Sequence, residues 1–376
     1  MSRLRRILVA LGSVVIAGML VVAGLAYHYT RPAYIEKRLT REFGGKYSVH
    51  VESAHSDPFR GTISATGVTI ASDSLQGQAS RAAPLRTRAS FRLPMVVCRG
   101  VNFRALRHGS IDVDEIELDN PQAQMFLDRH IASRSRGPKR MPHEVLMASA
   151  RPIRIGTLRV VNGDLQYAER SLTAERAGTF RFADMNATVS NITTVHGTGP
   201  EDCVIDVHTR LANSGVLNAR FRYDLASKPL KMDYHATMGR MDVTSLNKLL
   251  INLKGIRVKE GTIDSLNADI AMRGDRATGT VRLPYHALKF EMLDQDSHTR
   301  DLSDKFTTFM LARKVHQSNP DDADDSVTVV TIDRPRLPEV SLIKFVWESV
   351  REGVLRSANL PEPPVQAASA AGSAHQ

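Results

Sequence analysis

The stretch Ile153–Tyr167, IRIGTLRVVNGDLQY, decides how this chain is read. Apolar and polar residues alternate on both sides of Asn162-Gly163, and Asn-Gly is a strong short-range turn signal, so the stretch reads as a half-buried β-hairpin. A closely similar unit stands 42 positions earlier as IDVDEIELDNPQAQMF. There Ile111, Val113, Ile116, Leu118 and Asn120 fall in register with Ile153, Ile155, Leu158, Val160 and Asn162. A unit used twice implies a sheet lengthened by adding similar strands.

Period two continues along the chain. LNARFRYDL places Leu217, Ala219, Phe221, Tyr223 and Leu225 on one face, and LKMDYHATM does the same with Leu230, Met232, Tyr234, Ala236 and Met238. TVRLPYHALKFEM continues with Val281, Leu283 and Tyr285, then Leu288, Phe290 and Met292 after a break. One wet face and one apolar face per strand is the pattern of an antiparallel meander. A glycine, a small polar residue and an aliphatic residue recur at Gly61-Thr62-Ile63, Gly109-Ser110-Ile111, Gly163-Asp164-Leu165 and Gly261-Thr262-Ile263, and each instance reads as a corner. The expectation is a mainly β protein with a few helices, built on an elongated antiparallel sheet of about 14 strands at roughly 4.8 Å spacing.

The ends differ from this middle. Residues 1–6 form a short basic N-terminus. From Ile7 to Tyr27 the chain carries no charge over 21 residues, long enough to span a bilayer as a transmembrane signal anchor. Residues 31–43 read as an amphipathic helix with Ile35, Leu39 and Phe43 on one face, stopped by Gly44 and Gly45. Residues 46–335 form the β region. Residues 338–356 read as a second amphipathic helix with Leu342, Ile343, Val346, Trp347, Val350 and Val354 as its apolar stripe, and 361–376 as a disordered tail.

The formal charge of +10 suits a nucleic acid, an anionic membrane surface or nothing specific, because the basic residues are mostly dispersed along the strands. The densest basic cluster, Arg129, Arg134, Arg136, Lys139 and Arg140, reads first as a solvated loop and second as a contact for anionic lipid headgroups. No aromatic residues interleave with these charges, which argues against nucleic acid as a partner. Cys98 and Cys203 stand far apart and indicate neither a zinc site nor a disulfide framework.

Signatures of catalysis are missing from the sequence. No GxxxxGK, HExxH or GxSxG occurs, and GTG at Gly197–Gly199 has Asp202 where a dinucleotide loop needs its third glycine. Ser245 with Lys248 and Ser341 with Lys344 satisfy Ser-x-x-Lys without the accompanying KTG or SDN motifs. The aspartates of NPDDADD lack the glycine and glutamate of a calcium loop. No catalytic residue, metal or cofactor is therefore expected, and the reading is non-enzymatic.

Taken in order, the basic N-terminus, the anchor, YIEKRLTREFGGKYSVHV, the repeated unit, FADMNATVSNIT, MGRMDVTSLNKLL and GIRVKEGTIDSLNADIAMRG resemble AsmA-like proteins of the AsmA/TamB type. That resemblance implies a bacterial inner-membrane anchor, with the bulk of the chain in the periplasm. It also implies a sheet folded lengthwise into a β-taco, a groove whose apolar lining holds phospholipid acyl chains and serves outer-membrane lipid homeostasis. Phospholipid and the inner membrane are then the expected partners, other envelope proteins further ones. The lining expected from the strand pattern is Ile153, Ile155, Leu158, Val160, Leu217, Phe221, Tyr223, Leu230, Met232, Tyr234, Val281, Leu283 and Tyr285. The alternative is a dry, closed sandwich acting as a structural or assembly factor of the envelope.

Overall fold

The computed structural model describes residues 36, 40, 47–72, 86–131, 137–149, 151–172, 176–195, 202–293, 317–320 and 326–359. The expected anchor (7–27) and C-terminal tail (361–376) lie outside them, as does most of the first amphipathic helix, of which Glu36 and Thr40 are helical. No helix among the described residues is long and apolar enough to cross a membrane.

The protein is mainly β. A large curved sheet begins with β1 (Tyr47–His50), β2 (Ser53–Asp57), β3 (Thr62–Ser72), β4 (Thr87–Arg99), β5 (Ile111–Asp119) and β6 (Gln122–Asp128). It continues with β7 (Ile153–Arg170), β8 (Gly178–Thr193), β9 (Asp202–Leu211), β10 (Gly215–Asp224) and β11 (Lys231–Met238). A small sheet of β12 (Met241–Asp242), β13 (Ile256–Ile263) and β16 (Tyr285–Met292) branches off, while β14 (Leu266–Arg273), β15 (Arg276–Arg282) and β17 (Val329–Pro335) complete the large one. Among the described residues the large sheet has 14 strands, the number expected, but β2 and β6 lie off its path, which is twelve strands wide. Among the described residues the α-helices of defined bounds are α1 (Phe103–Arg107), α2 (Pro142–Met147), α3 (Asn247–Lys254) and α4 (Leu342–Ser357).

The sheet is mixed, which corrects the antiparallel expectation. β5 and β6 both pair with β7 in parallel, and the 42-residue repeat is the register itself: Ile111 lies beside Ile153, Val113 beside Ile155, Ile116 beside Leu158, Leu118 beside Val160 and Met125 beside Tyr167. Identical patterns side by side in the same direction put apolar against apolar at every step, so pairing like with like needs a crossover and no hairpin.

Asn162-Gly163 is accordingly not a turn. β7 runs through it as one strand of 18 residues. Asn162 sits at φ 53°, and the pairing with β8 shifts register between Val160 and Leu165, so the pair makes a bulge that bends a continuous strand. Asn120, at φ 49° between β5 and β6, makes the matching bend next door. Of the recurring glycine corners, Gly61 and Gly109 precede β3 and β5 as expected, whereas Gly261 lies inside β13 where its register to β16 slips.

α4 covers β15 and β17 on a face that overlaps the expected stripe but is rotated from it: Leu342 is buried and Val346, Val350 and Val354 pack partly buried against the core. The buried positions are Leu342, Phe345, Ser349, Glu352, Gly353 and Ser357, while Trp347 is 38% exposed. Small residues decide the phase: a Cβ on Gly353 would lie 2.4 Å from the Val281 Cβ, so only glycine lets the helix approach this closely. The hydroxyls of Ser349 and Ser357 donate to the carbonyls of Phe345 and Gly353, at 2.8 and 2.9 Å, and so enter the interface without unmet polar atoms. Arg334 on β17 clamps the helix through Glu352 at 3.0 Å and Glu348 at 3.4 Å.

Both cysteines are free and buried, and burial pushes each thiol up to about 12. Because the thiolate is the reactive form, neither should react with a thiol reagent in the native protein at pH 8, and both should react once it is unfolded. Counting modified thiols by mass spectrometry before and after denaturation checks this; rapid native labelling of Cys98 would contradict its burial.

Candidate functional site: an apolar track across the sheet

Register turns the alternation of single strands into lines that cross the whole sheet. One line runs Ala54, Ala65, Val96, Leu118, Val160, Ala187, Val207, Ala219, Ala236, Ala268, Val281, Val330, each the cross-strand neighbour of the next. A second line runs Ile63, Cys98, Ile116, Leu158, Val189, Ile205, Phe221, Tyr234, Ile270, Gly279, Ile332. Twelve strands at roughly 4.8 Å make the first line about 50 Å long, and neither line contains a charged residue.

Coverage of this inner face varies along its length. In the N-terminal half Ile63, Val96, Cys98, Ile116, Leu118 and Leu158 are at most 1% exposed, and Leu106 with Phe103 of α1 and Met141 with Leu146 at α2 belong to or pack on the same cluster. At the C-terminal end α4 supplies the cover, with Phe345 fully buried. Between these ends, on β9 and β10, Ile205, Val207, Leu217, Ala219 and Phe221 are only partly buried. The Phe221 ring stacks on Tyr234 with centroids 5.5 Å apart.

The crossover between β6 and β7 acts as a strap. The Tyr223 hydroxyl on β10 accepts from the His143 N–H at 3.3 Å and bonds the same residue's Nδ1, while His143 Nε2 donates to the Lys228 carbonyl at 3.2 Å. The Lys139 N–H donates to the Pro338 carbonyl at 2.8 Å, which ties the strap to the segment leading into α4. Sequence gave no sign of this bridge, because α2 is short and its only deeply buried side chain is a histidine.

Of the residues expected to line the groove, Ile153, Ile155, Leu158, Val160, Tyr223, Leu230, Met232, Tyr234, Val281, Leu283 and Tyr285 are buried in one continuous cluster. Leu217 and Phe221 pack against that cluster and are partly exposed. Tyr285 belongs to β16 of the small sheet, where its hydroxyl donates to the Ser357 carbonyl at 3.4 Å, so it braces the end of α4.

The outer face is polar. Two adjoining shallow depressions, of about 440 and 490 Å³, lie there and are bordered by Arg159, Thr188, His208, Asn218, Arg220 and His235, then by Arg222, Asp233, Asp269 and Thr278. Their charges are largely engaged with one another: His235 meets Asp269 at 2.5 Å, and Arg222 meets Asp202 at 3.1 Å. Among the described residues no group of three or more His, Cys, Asp or Glu is placed to hold a metal ion.

Charge does enter the inner face at one rim, where β4 begins and β6 and β7 end. Glu169 is fully buried, paired with Arg129, and accepts from the Tyr167 hydroxyl at 2.6 Å. Beside it Asp128, 3% exposed, pairs with Arg170. Burial pushes the Asp128 carboxyl up, but the hydrogen bonds from Arg170 and His130 outweigh it and hold the group below the usual carboxylate range. Arg129 is thus part of a buried ion pair, which corrects the solvated-loop reading for that residue; Arg134 and Arg136 lie outside the described residues. No family model matches this chain, and no curated protein matches it.

Proposed function

We propose that the protein is a non-enzymatic, membrane-anchored protein that holds or transfers phospholipid acyl chains along the inner face of its sheet. In this reading it is AsmA-like, anchored by residues 7–27 in a bacterial inner membrane, with the sheet as a β-taco in the periplasm. What supports the reading is the unbroken pair of apolar lines crossing eleven and twelve strands. Acyl chains have no directional bonding, and each methylene removed from water contributes about 0.8 kcal/mol, so a dry linear track suffices to hold them. The partly covered stretch on β9 and β10 is the place where a chain would enter.

The alternative, a closed scaffold of the cell envelope, is favoured by the near-complete burial of the N-terminal half of the same face. The two readings part at Phe221 and Arg220, which are neighbours in sequence and point to opposite faces of β10. With a photo-crosslinking benzoylphenylalanine at either position in the full-length protein, kept in its native membrane, position 221 should capture phospholipid and position 220 should not. Equal yields at both positions, or none at 221, would sink the lipid reading.

Phe221→Asp should abolish the lipid carried by the protein while lowering the melting temperature by only a few degrees, because a half-covered carboxylate reaches water. Lipid mass spectrometry and circular dichroism of the same sample measure both effects. Retention of lipid by Phe221→Asp would contradict the proposed track.

A further inference from the structure

The turn between β2 and β3 holds an aromatic ring out in water. Phe59, within Asp57-Pro58-Phe59-Arg60-Gly61, is fully exposed. Local bonding fixes the turn: one oxygen of the Asp57 carboxylate accepts from the N–H groups of Phe59 at 3.0 Å and of Arg60 at 3.1 Å. Gly61, at φ 65°, closes the turn, and its carbonyl accepts from the Val101 N–H at 2.8 Å. An aromatic side chain presented in this way keeps its whole apolar surface available to a partner.

Its neighbours at this end of the sheet are cations. β2, β4 and β8 end here, and β3, β5 and β7 begin here. The Ile111 N–H donates to the Pro152 carbonyl at 2.9 Å and the Thr194 N–H to the Ile153 carbonyl at 2.9 Å, so the connecting segments lie side by side. Residues 58–61, 100–110, 151–152 and 194–195 along this edge contain Arg60, Arg104, Arg107 and Arg151, and neither Asp nor Glu. All four arginines are exposed, and Val195 adds an exposed apolar residue. The carboxylates set back from the edge are engaged: Asp57 with the turn and with Arg60 at 3.7 Å, Asp112 and Asp114 with Arg154, Glu115 and Glu117 with Arg99.

We propose that this edge docks on the surface of an anionic lipid bilayer, the Phe59 ring entering the headgroup boundary while Arg60, Arg104, Arg107 and Arg151 face lipid phosphates. Two features favour a bilayer over a folded partner. A ring standing clear of its own protein needs no matching shape in a fluid interface, whereas a protein hot spot seats its aromatic in a formed pocket. Four arginines spread over three segments supply charge without the convergence of a single binding pocket, and attraction to anionic headgroups accumulates cation by cation. Apolar insertion and charge together are the two signals that stable surface attachment requires. The site is separate from the apolar track and does not rest on it.

The test places a nitrobenzoxadiazole label on Phe59→Cys in the full-length protein, where both native cysteines are buried. Arg220→Cys, on the polar face of β10, carries the control label. Each protein is held in discs of phosphatidylcholine, in discs of phosphatidylcholine mixed with phosphatidylglycerol, and in the former with vesicles of the mixed lipid added. A blue shift at position 59, with shielding from aqueous iodide, is expected in one or both mixed-lipid settings; phosphatidylcholine alone should give none, nor should position 220. Arg104→Gln combined with Arg151→Gln should weaken docking about tenfold or more, and raised salt should act in the same direction. Circular dichroism checks the fold, and Arg151→Gln alone replaces the pair if the double variant is not folded. Protein that does not enter the discs is titrated with the same vesicles in solution, so failure of the anchor is distinguished from failure of the edge.

No shift in any mixed-lipid setting, an equal shift in pure phosphatidylcholine, or a shift untouched by the glutamine substitutions overturns the proposal. A label already shielded in detergent solution, before any bilayer is supplied, would assign the tip to a second copy of this chain and likewise overturn the bilayer as its partner.

Discussion

Phe345→Ala is expected to destabilise the protein by about 3–5 kcal/mol, the cost of emptying a fully buried aromatic position. The ring belongs to the face with which α4 covers the end of the sheet, and its neighbours on that helix face, Ser349 and Gly353, are too small to refill the space. Urea unfolding followed by circular dichroism measures the loss as a lower midpoint. Trp347→Ala is the control: that ring points outward, and a change within about 1 kcal/mol is expected. The reverse ranking would mean that the helix is seated on the face that hydrophobicity alone selects.

The second large effect is expected at Leu158→Asp. Leu158 is fully buried, lies beside Ile116 of β5 and Val189 of β8, and occupies the repeated unit and the second apolar line at once. A carboxylate there would sit at a position fully buried among apolar side chains. An uncompensated buried charge costs about 3–5 kcal/mol in addition to the lost apolar contacts, which is comparable to the whole stability of an ordinary domain. The variant should be recovered unfolded or degraded, and its yield by immunoblot against Phe221→Asp measures the contrast. Two substitutions of the same kind on one line then have opposite outcomes, because cover over the sheet differs between β7 and β10. Folded, stable Leu158→Asp would show that the N-terminal half of the inner face is open to water.

The alternation that assigns Leu158 and Phe221 to the inner face is local, since a strand's side chains must alternate whatever it packs against. Which of the two is sealed depends on what packs over the sheet, the helices α1 and α2 and the strap through His143, and these are made by residues distant in sequence. The rim is a similar case. Arg129 just past β6 and Glu169 near the end of β7 look like ordinary polar termini until the parallel pairing of the two strands brings them into a buried ion pair.

The sequence by itself determined the mainly β class, the two-faced strands, the approximate number of strands and the presence of a C-terminal helix, because each follows from periodicity within one element. It also contained the 42-residue repeat, but not its meaning. A hairpin and a pair of parallel strands demand the same alternation, and Asn-Gly serves a turn or a bulge equally well, since both need a residue with positive φ. Only the tertiary structure decided between them: packing the two copies side by side in one direction aligns every apolar residue with its counterpart, and burying that shared face drives the chain straight through Asn162. The phase of α4 was settled in the same way, by the closeness that Gly353 permits against Val281, a contact between residues 72 positions apart.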